Sequence, residues 1–246
     1  MRFRYSVKLL LAALFCCSTS LAAGDDVPPE IATAIRSTLH ERVPDLQVAG
    51  IHKSPIPGMY ELETGSELLY TNDTGSLIFA GRIIDTKTRA DLTSDRWDQL
   101  NAVDFASLPL DEAIKTVRGD GSRKVAVFAD PLCPYCRQLE QEMQGINNVT
   151  IYTFLFPLES IHPGASDKAL HIWCSKDPVS AWSKWMLQKT EPGNASCAGA
   201  PIDKLQTLGR KIHIDSTPTM FLVDGKRVRG AIKHNEIEQL LASTHK

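Results

Sequence analysis

The sequence predicts two domains of mixed class: a small α+β unit, a connecting helix, and a larger α/β unit with a helical insertion. Three observations carry this reading. Residues 29–84 hold one stretch of helical period followed by four short apolar runs, separated by Pro57-Gly58, Thr64-Gly65-Ser66 and Asn72-Asp73-Thr74-Gly75, the texture of a helix and a small antiparallel sheet. Residues 125–140 pass from a short apolar strand directly into a helix start. Beyond them, strand and helix patterns alternate to the C-terminus. With 246 residues, 43% of them hydrophobic, the chain can bury two small cores.

The N-terminus is expected to be a secretory signal, residues 1–23. Arg2, Arg4 and Lys8 precede an apolar stretch at 9–17 that is too short to span a bilayer, and small residues follow up to Ala23. Cleavage removes Cys16 and Cys17, which lack the preceding small residue of a lipoprotein acylation site. It also removes three positive charges, so the net charge falls from −2 to −5. No basic patch remains for nucleic acid. The four remaining cysteines, in an oxidising compartment, fit two disulfides, split as Cys133 with Cys136 and Cys174 with Cys197. Three Asn-x-Ser/Thr sequons, at Asn72, Asn148 and Asn194, would matter only in a glycosylating host.

The elements follow in order. Pro28-Pro29 opens a helix with Ile31, Ala34, Ile35 and Leu39 on one face, ending before Pro44. Strands are expected at 47–51, 59–63, 68–71 and 77–84. A unit of this size buries little apolar surface and gains by pairing with a second copy, so residues 24–86 are read as a dimerisation domain. Residues 87–107 form the connecting helix, started by Asp91-Leu92-Thr93-Ser94-Asp95, with Trp97, Leu100 and Val103 at helical spacing. In the domain at 108–246, strands at 114–117 and 125–128 flank Arg118-Gly119-Asp120-Gly121-Ser122, read as a hairpin loop. A strand dense in β-branched and aromatic residues follows at 149–155, ended by Pro157. Helices are expected at 166–175 and 178–189, the second with a core stripe of Ala181, Trp182, Trp185 and Met186. Cys174 and Cys197 would close a loop of some 24 residues, worth roughly 3 kcal/mol in the chain-entropy model. Their role is read as structural, because neither cysteine has a helix-start context. A helix at 202–212, a hairpin of strands at 217–223 and 226–231, and a helix at 236–242 complete the chain.

The chemistry sits in Cys133-Pro134-Tyr135-Cys136. A helix N-terminus carries unpaired N–H groups and partial positive charge, which favour a thiolate at Cys133, the attacking sulfur. Cys136, three residues on, lies on the same helical face and can close an intramolecular disulfide that releases whatever is bound to Cys133. Half of a zinc site is the competing reading of a lone C-x-x-C. It lacks a second ligand pair, since Cys174 and Cys197 lie far apart in sequence and no two histidines fall at ligand spacing.

A strand, a C-x-x-C helix, a strand, an interposed helical segment and then Thr217-Pro218 opening a hairpin strand is similar to the thioredoxin fold. With the signal, the small N-terminal domain, the connecting helix and the second cysteine pair, the whole mature chain resembles the periplasmic DsbC/DsbG disulfide isomerases. The resemblance implies a V-shaped homodimer joined through the N-terminal domain, two dithiol sites facing a cleft, and no external cofactor. It implies a cis bond before Pro218, with Thr217 presenting backbone to an extended substrate. Misfolded or wrongly disulfide-bonded secreted proteins would be the substrates, with holding activity toward them, and a membrane thiol reductase of the DsbD type would restore the dithiol. Pro134-Tyr135, as in glutaredoxins, stands where the best-known isomerases carry Gly-Tyr, and these two residues tune the site. Val127 stands where thioredoxins place a buried acid, so the proton of Cys136 goes to another group or to water. A thiol oxidase or reductase on the same fold and a noncatalytic chaperone are the competing functions.

Overall fold

The computed structural model describes residues 27–244. The expected signal segment lies outside them. The chain divides into two compact units at Gly81 and Arg82, so the connecting helix belongs to the second.

In the first unit, α1 (Pro29–Arg42) starts with proline at its first turn, where the missing N–H costs nothing. The strands β1 (Val48–Lys53), β2 (Met59–Thr64), β3 (Leu68–Asn72) and β4 (Ile78–Phe79) form one antiparallel sheet in sequence order. Ile35 and Leu39 of α1 pack on Leu62 and Leu69, which face each other across β2 and β3. Between β3 and β4 the Asn72 side-chain oxygen accepts the N–H groups of Ser76 and Leu77. Gly75 in that turn has φ +70°, and a Cβ there would lie 3.0 Å from the Ile35 backbone, so both turn and helix contact demand glycine.

The last strand is much shorter than the expected 77–84. Only Ile78 and Phe79 pair, with Thr71 and Tyr70. Gly81 follows, and Ile84 is drawn instead into a bridge with Asp91 across a turn whose N–H groups at Lys87 and Thr88 are held by Asp85. The outer edge of β4 leaves Leu77, Ile78 and Phe79 exposed.

In the second unit, α2 (Leu92–Leu100) is capped by Asp91, whose carboxylate accepts the Ser94 N–H at 2.9 Å. Asp98 of this helix pairs with Arg229, and Trp97 meets His213 edge to face at 5.4 Å. The sheet comprises β5 (Ile114–Arg118), β6 (Arg123–Ala129), β7 (Val149–Leu155), β8 (Thr219–Leu222) and β9 (Arg227–Arg229), in the order β5-β7-β6-β8-β9. The expected hairpin between β5 and β6 is therefore not formed. β7, all seven of whose residues are buried, lies between them, parallel to β6 and antiparallel to β5. The longest fully buried strand takes an interior place, and the glycine loop at 119–121 crosses the start of β7, where Arg123 N–H donates to the Asn148 carbonyl.

Alternation along β6 sorts two cores. Val125, Val127 and Ala129 face α3 (Pro134–Glu142), α5 (Pro178–Gln188) and α7 (His234–Ser243), where Cys136, Leu139, Trp182, Met186, Ile237 and Leu241 are buried. Ala126 and Phe128 face the other side, where Phe128 stacks on Phe154 at 4.6 Å and meets Phe156 and Phe221 edge to face. Each such aromatic contributes on the order of 2 kcal/mol by burial. The helices α4 (Ala165–Trp173), α5 and α6 (Ile202–Lys211) form the insertion between β7 and β8.

Candidate active site

The site forms where β6 ends and α3 begins. Cys133 occupies the N-cap with extended backbone, φ −70° and ψ 124°, and Pro134 starts the helix. The turn is closed by the Cys133 N–H donating to the Asp130 carbonyl at 3.2 Å and the Arg137 N–H donating to the Cys133 carbonyl at 3.2 Å. Cys136 falls on the buried face of the first turn, and its sulfur accepts the Asp130 N–H at 3.3 Å. Both cysteines are free thiols.

The hairpin strand β8 supplies the opposite wall. The Thr217-Pro218 bond is cis, and the Cys133 thiol donates to the Thr217 carbonyl at 3.3 Å. Cys133 is 4% exposed, with its sulfur beneath this loop. Pro134 and Tyr135 stand outside, with Tyr135 62% exposed.

The two sulfurs are electrostatically unequal. The Cys133 thiol is pulled down to about 5, first by the hydrogen bond from the Cys136 thiol. Burial opposes this, and Thr217 and the N–H groups of Cys136 and Tyr135 add to the lowering. The Thr217 hydroxyl is buried beside the two sulfurs and has no other hydrogen-bond partner. Cys136 is pushed up, chiefly by burial and then by its bond to the Cys133 sulfur, so it stays protonated. The site thus holds one lowered and one raised thiol, the inequality that stepwise exchange needs.

Side chains remote in sequence brace the loop. Trp185 Nε1 donates to the Pro131 carbonyl at 2.6 Å, and Arg137 donates to the carbonyls of Trp185 and Met186 at 3.0 and 2.8 Å. Arg137 and Lys168 both lie over the Trp185 ring, at 5.5 and 4.1 Å. Trp182, read from sequence as core, also donates from Nε1 to Glu140 at 3.1 Å, and burial pushes the Glu140 carboxyl up. Val127, where an acid would approach Cys136, is buried in β6. Sequence reasoning missed the carboxyl of Asp130. A polar residue closing an apolar run one turn before the first cysteine was its only local signal. Its partner His162 stands 32 positions away and gave none.

Cys174 and Cys197 lie away from this loop and are bonded to each other, Cα to Cα 5.5 Å, tying the end of α4 to the loop before α6. Among the described residues, no three His, Cys, Asp or Glu side chains converge as a metal site.

Comparison with known proteins agrees with this layout. The model of a thioredoxin-like domain matches residues 110–245, and that of the disulfide bond isomerase protein N-terminal domain matches residues 22–94. The chain is 39% identical over 214 residues to the probable thiol:disulfide interchange protein DsbC of Bordetella pertussis, covering 87% of this chain and 75% of that protein. It is 30% identical over 247 residues to the thiol:disulfide interchange protein DsbC of Salmonella typhimurium, covering 98% and 96%. A disulfide interchange protein of Neisseria gonorrhoeae superposes with a TM-score of 0.55 at 36% identity, over 56% of this chain and 99% of that one. Relatives that match both units, together with a thioredoxin-like domain over more than half of the sequence, place the chain in the DsbC family of thiol:disulfide interchange proteins.

Proposed function

We propose that the chain is a homodimeric disulfide isomerase of the periplasm, delivered there by the segment 1–23 and acting on misfolded or wrongly disulfide-bonded secreted proteins. The observation that carries this reading is the placement of Cys133 at the N-cap of α3, against the cis Thr217-Pro218 loop and beside a buried Cys136, a setting that lowers the Cys133 thiol to about 5 and raises that of Cys136. The Cys133 thiolate attacks one sulfur of a wrong disulfide, forming a mixed disulfide and expelling the other substrate sulfur as a thiolate. That thiolate, or another on the substrate, attacks a second position until Cys133 is itself displaced, so electrons balance with no external oxidant. If rearrangement stalls, Cys136 loses its proton and displaces the substrate as a dithiol, leaving a Cys133–Cys136 disulfide for a membrane thiol reductase of the DsbD type to restore.

Thr217 and Pro218 form the backbone contact for an extended substrate segment, Pro134 and Tyr135 set the surface around the sulfur, and the Cys174–Cys197 bond is structural. Residues 24–86 are the dimerisation domain, 108–246 the catalytic domain and 87–107 the connecting segment, of which only Leu92–Leu100 is α-helical rather than the whole stretch expected. Dimerisation is supported by the apolar outer edge of β4, where Phe79 is 47% exposed beside unpaired backbone. A second copy covering this edge gives each pair two dithiols for one substrate and room to hold it during rearrangement.

The test is reactivation of scrambled, fully oxidised ribonuclease in a mildly reducing buffer, with Cys133→Ser alongside. Recovery by the natural sequence and none by the variant is expected. Oxidation of reduced substrate without recovery would make the protein an oxidase on this fold, and activity equal in both would remove Cys133 from the chemistry.

A further inference from the structure

Asp130 is a 0% exposed carboxyl beside the dithiol that no step above employs. Its main chain holds both cysteines: the carbonyl accepts the Cys133 N–H at 3.2 Å, and the N–H donates to the Cys136 sulfur at 3.3 Å. Its carboxylate reaches two other segments. Oδ1 accepts the Leu132 N–H at 2.7 Å, inside the loop that carries Cys133. Oδ2 accepts the Leu158 N–H at 2.7 Å and lies 2.9 Å from Nδ1 of His162. A carboxylate can only accept, so Nδ1 carries the proton of that contact. The ring itself is not sealed in, since 21% of the His162 side chain is exposed.

A buried carboxylate is costly unless donors surround it. Here two of the three donors are backbone N–H groups on different segments, and the third is the imidazole. The carboxylate is thus a rivet between the active-site loop and the segment after β7, and His162 is its side-chain anchor.

We propose that Asp130 and His162 are a positioning pair of the exchange site, in which the imidazole N–H fixes the carboxylate and the carboxylate fixes the loop from which Cys133 attacks. The pair touches no substrate and acts through the cysteines. The assignment rests on the interchange reading above.

Three variants of the full chain separate the roles. His162→Ala removes the donor, His162→Phe removes it while keeping a ring of similar size, and His162→Asn returns an amide N–H near the position of Nδ1. The readout is ionisation of Cys133, followed by thiolate absorbance near 240 nm and by alkylation rate against pH, on protein shown to be folded by circular dichroism. Ala and Phe are expected to raise the half-ionisation point by about one unit and to slow alkylation at pH 5 about fivefold, the loss of thiolate fraction that such a shift produces. Asn is expected to restore the natural value. A purely structural His162 would lower the melting temperature and leave the titration of the folded protein unchanged. Titration of the Ala and Phe variants with the natural sequence, or failure of Asn to restore it, overturns the proposal. Ionisation of Cys133 near 9 in the natural sequence would instead overturn the interchange reading itself.

Discussion

Replacing Cys136 with alanine tests the electrostatic division of labour between the two sulfurs. The largest single cause of the low Cys133 value is the hydrogen bond from the Cys136 thiol, and alanine removes that donor while keeping the N–H groups of Tyr135 and residue 136 in place. A hydrogen bond to a charged acceptor is worth roughly 1.5–3 kcal/mol, and one pKa unit corresponds to about 1.4 kcal/mol. Cys133 should therefore rise from about 5 to between roughly 6 and 7. At pH 5, where half of the natural Cys133 is thiolate, the variant would hold between about a tenth and a hundredth, a drop of roughly 5- to 50-fold in alkylation rate at saturating folded protein. Absorbance at 240 nm against pH measures the same quantity directly. A value that stays at about 5 would refute the reasoning, because the backbone N–H groups and Thr217 would then carry the whole depression. A value near 9 would refute it from the other side, since the helix terminus would contribute nothing.

Three further outcomes follow from the same geometry. Cys133 has a folded value below that of a thiol in the unfolded chain, about 8.5, so the reduced protein gains stabilisation that is complete above about 8.5 and lost as pH falls toward 5. The melting temperature of the reduced form relative to the oxidised form should rise across that window, and a pH-independent difference would contradict the depressed value. Gly209→Ala places a Cβ 2.1 Å from a ring carbon of buried Phe156, inside α6, and should cost about 1–3 kcal/mol in denaturant unfolding. An unchanged midpoint would mean that the helix does not press on that ring. Phe79→Asp on the exposed edge of β4 should convert the dimer to monomer in sedimentation equilibrium, and a persistent dimer would remove this edge from the interface.

Elements governed by local pattern were legible in the sequence. The strand at 149–155 agrees with β7 because every residue in it is apolar, β-branched or aromatic. The helix from Pro29 and the cap at Asp91 follow from residues adjacent to one another. What pattern conceals is which strands become neighbours. The glycine loop at 119–121 has ordinary hairpin chemistry, yet β5 and β6 are parted by a strand that arrives 30 residues later. Likewise the run at 77–84 has strand composition throughout, but its end pairs with Asp91 rather than continuing the edge. The site divides in the same way. A strand running into a C-x-x-C helix places two thiols and a helix terminus by local rules alone. The contacts that brace them, Trp185 to Pro131 and His162 to Asp130, span 54 and 32 positions and carry no periodic signal.

The measurement that bears most directly on the account is capture of the mixed disulfide. Cys136→Ala, incubated with scrambled ribonuclease and quenched in acid, should yield a covalent adduct whose peptide map joins Cys133 to a substrate cysteine and which a thiol reductant releases. The absence of any adduct, or an adduct on Cys174 or Cys197 instead, would contradict the claim that Cys133 is the attacking thiolate.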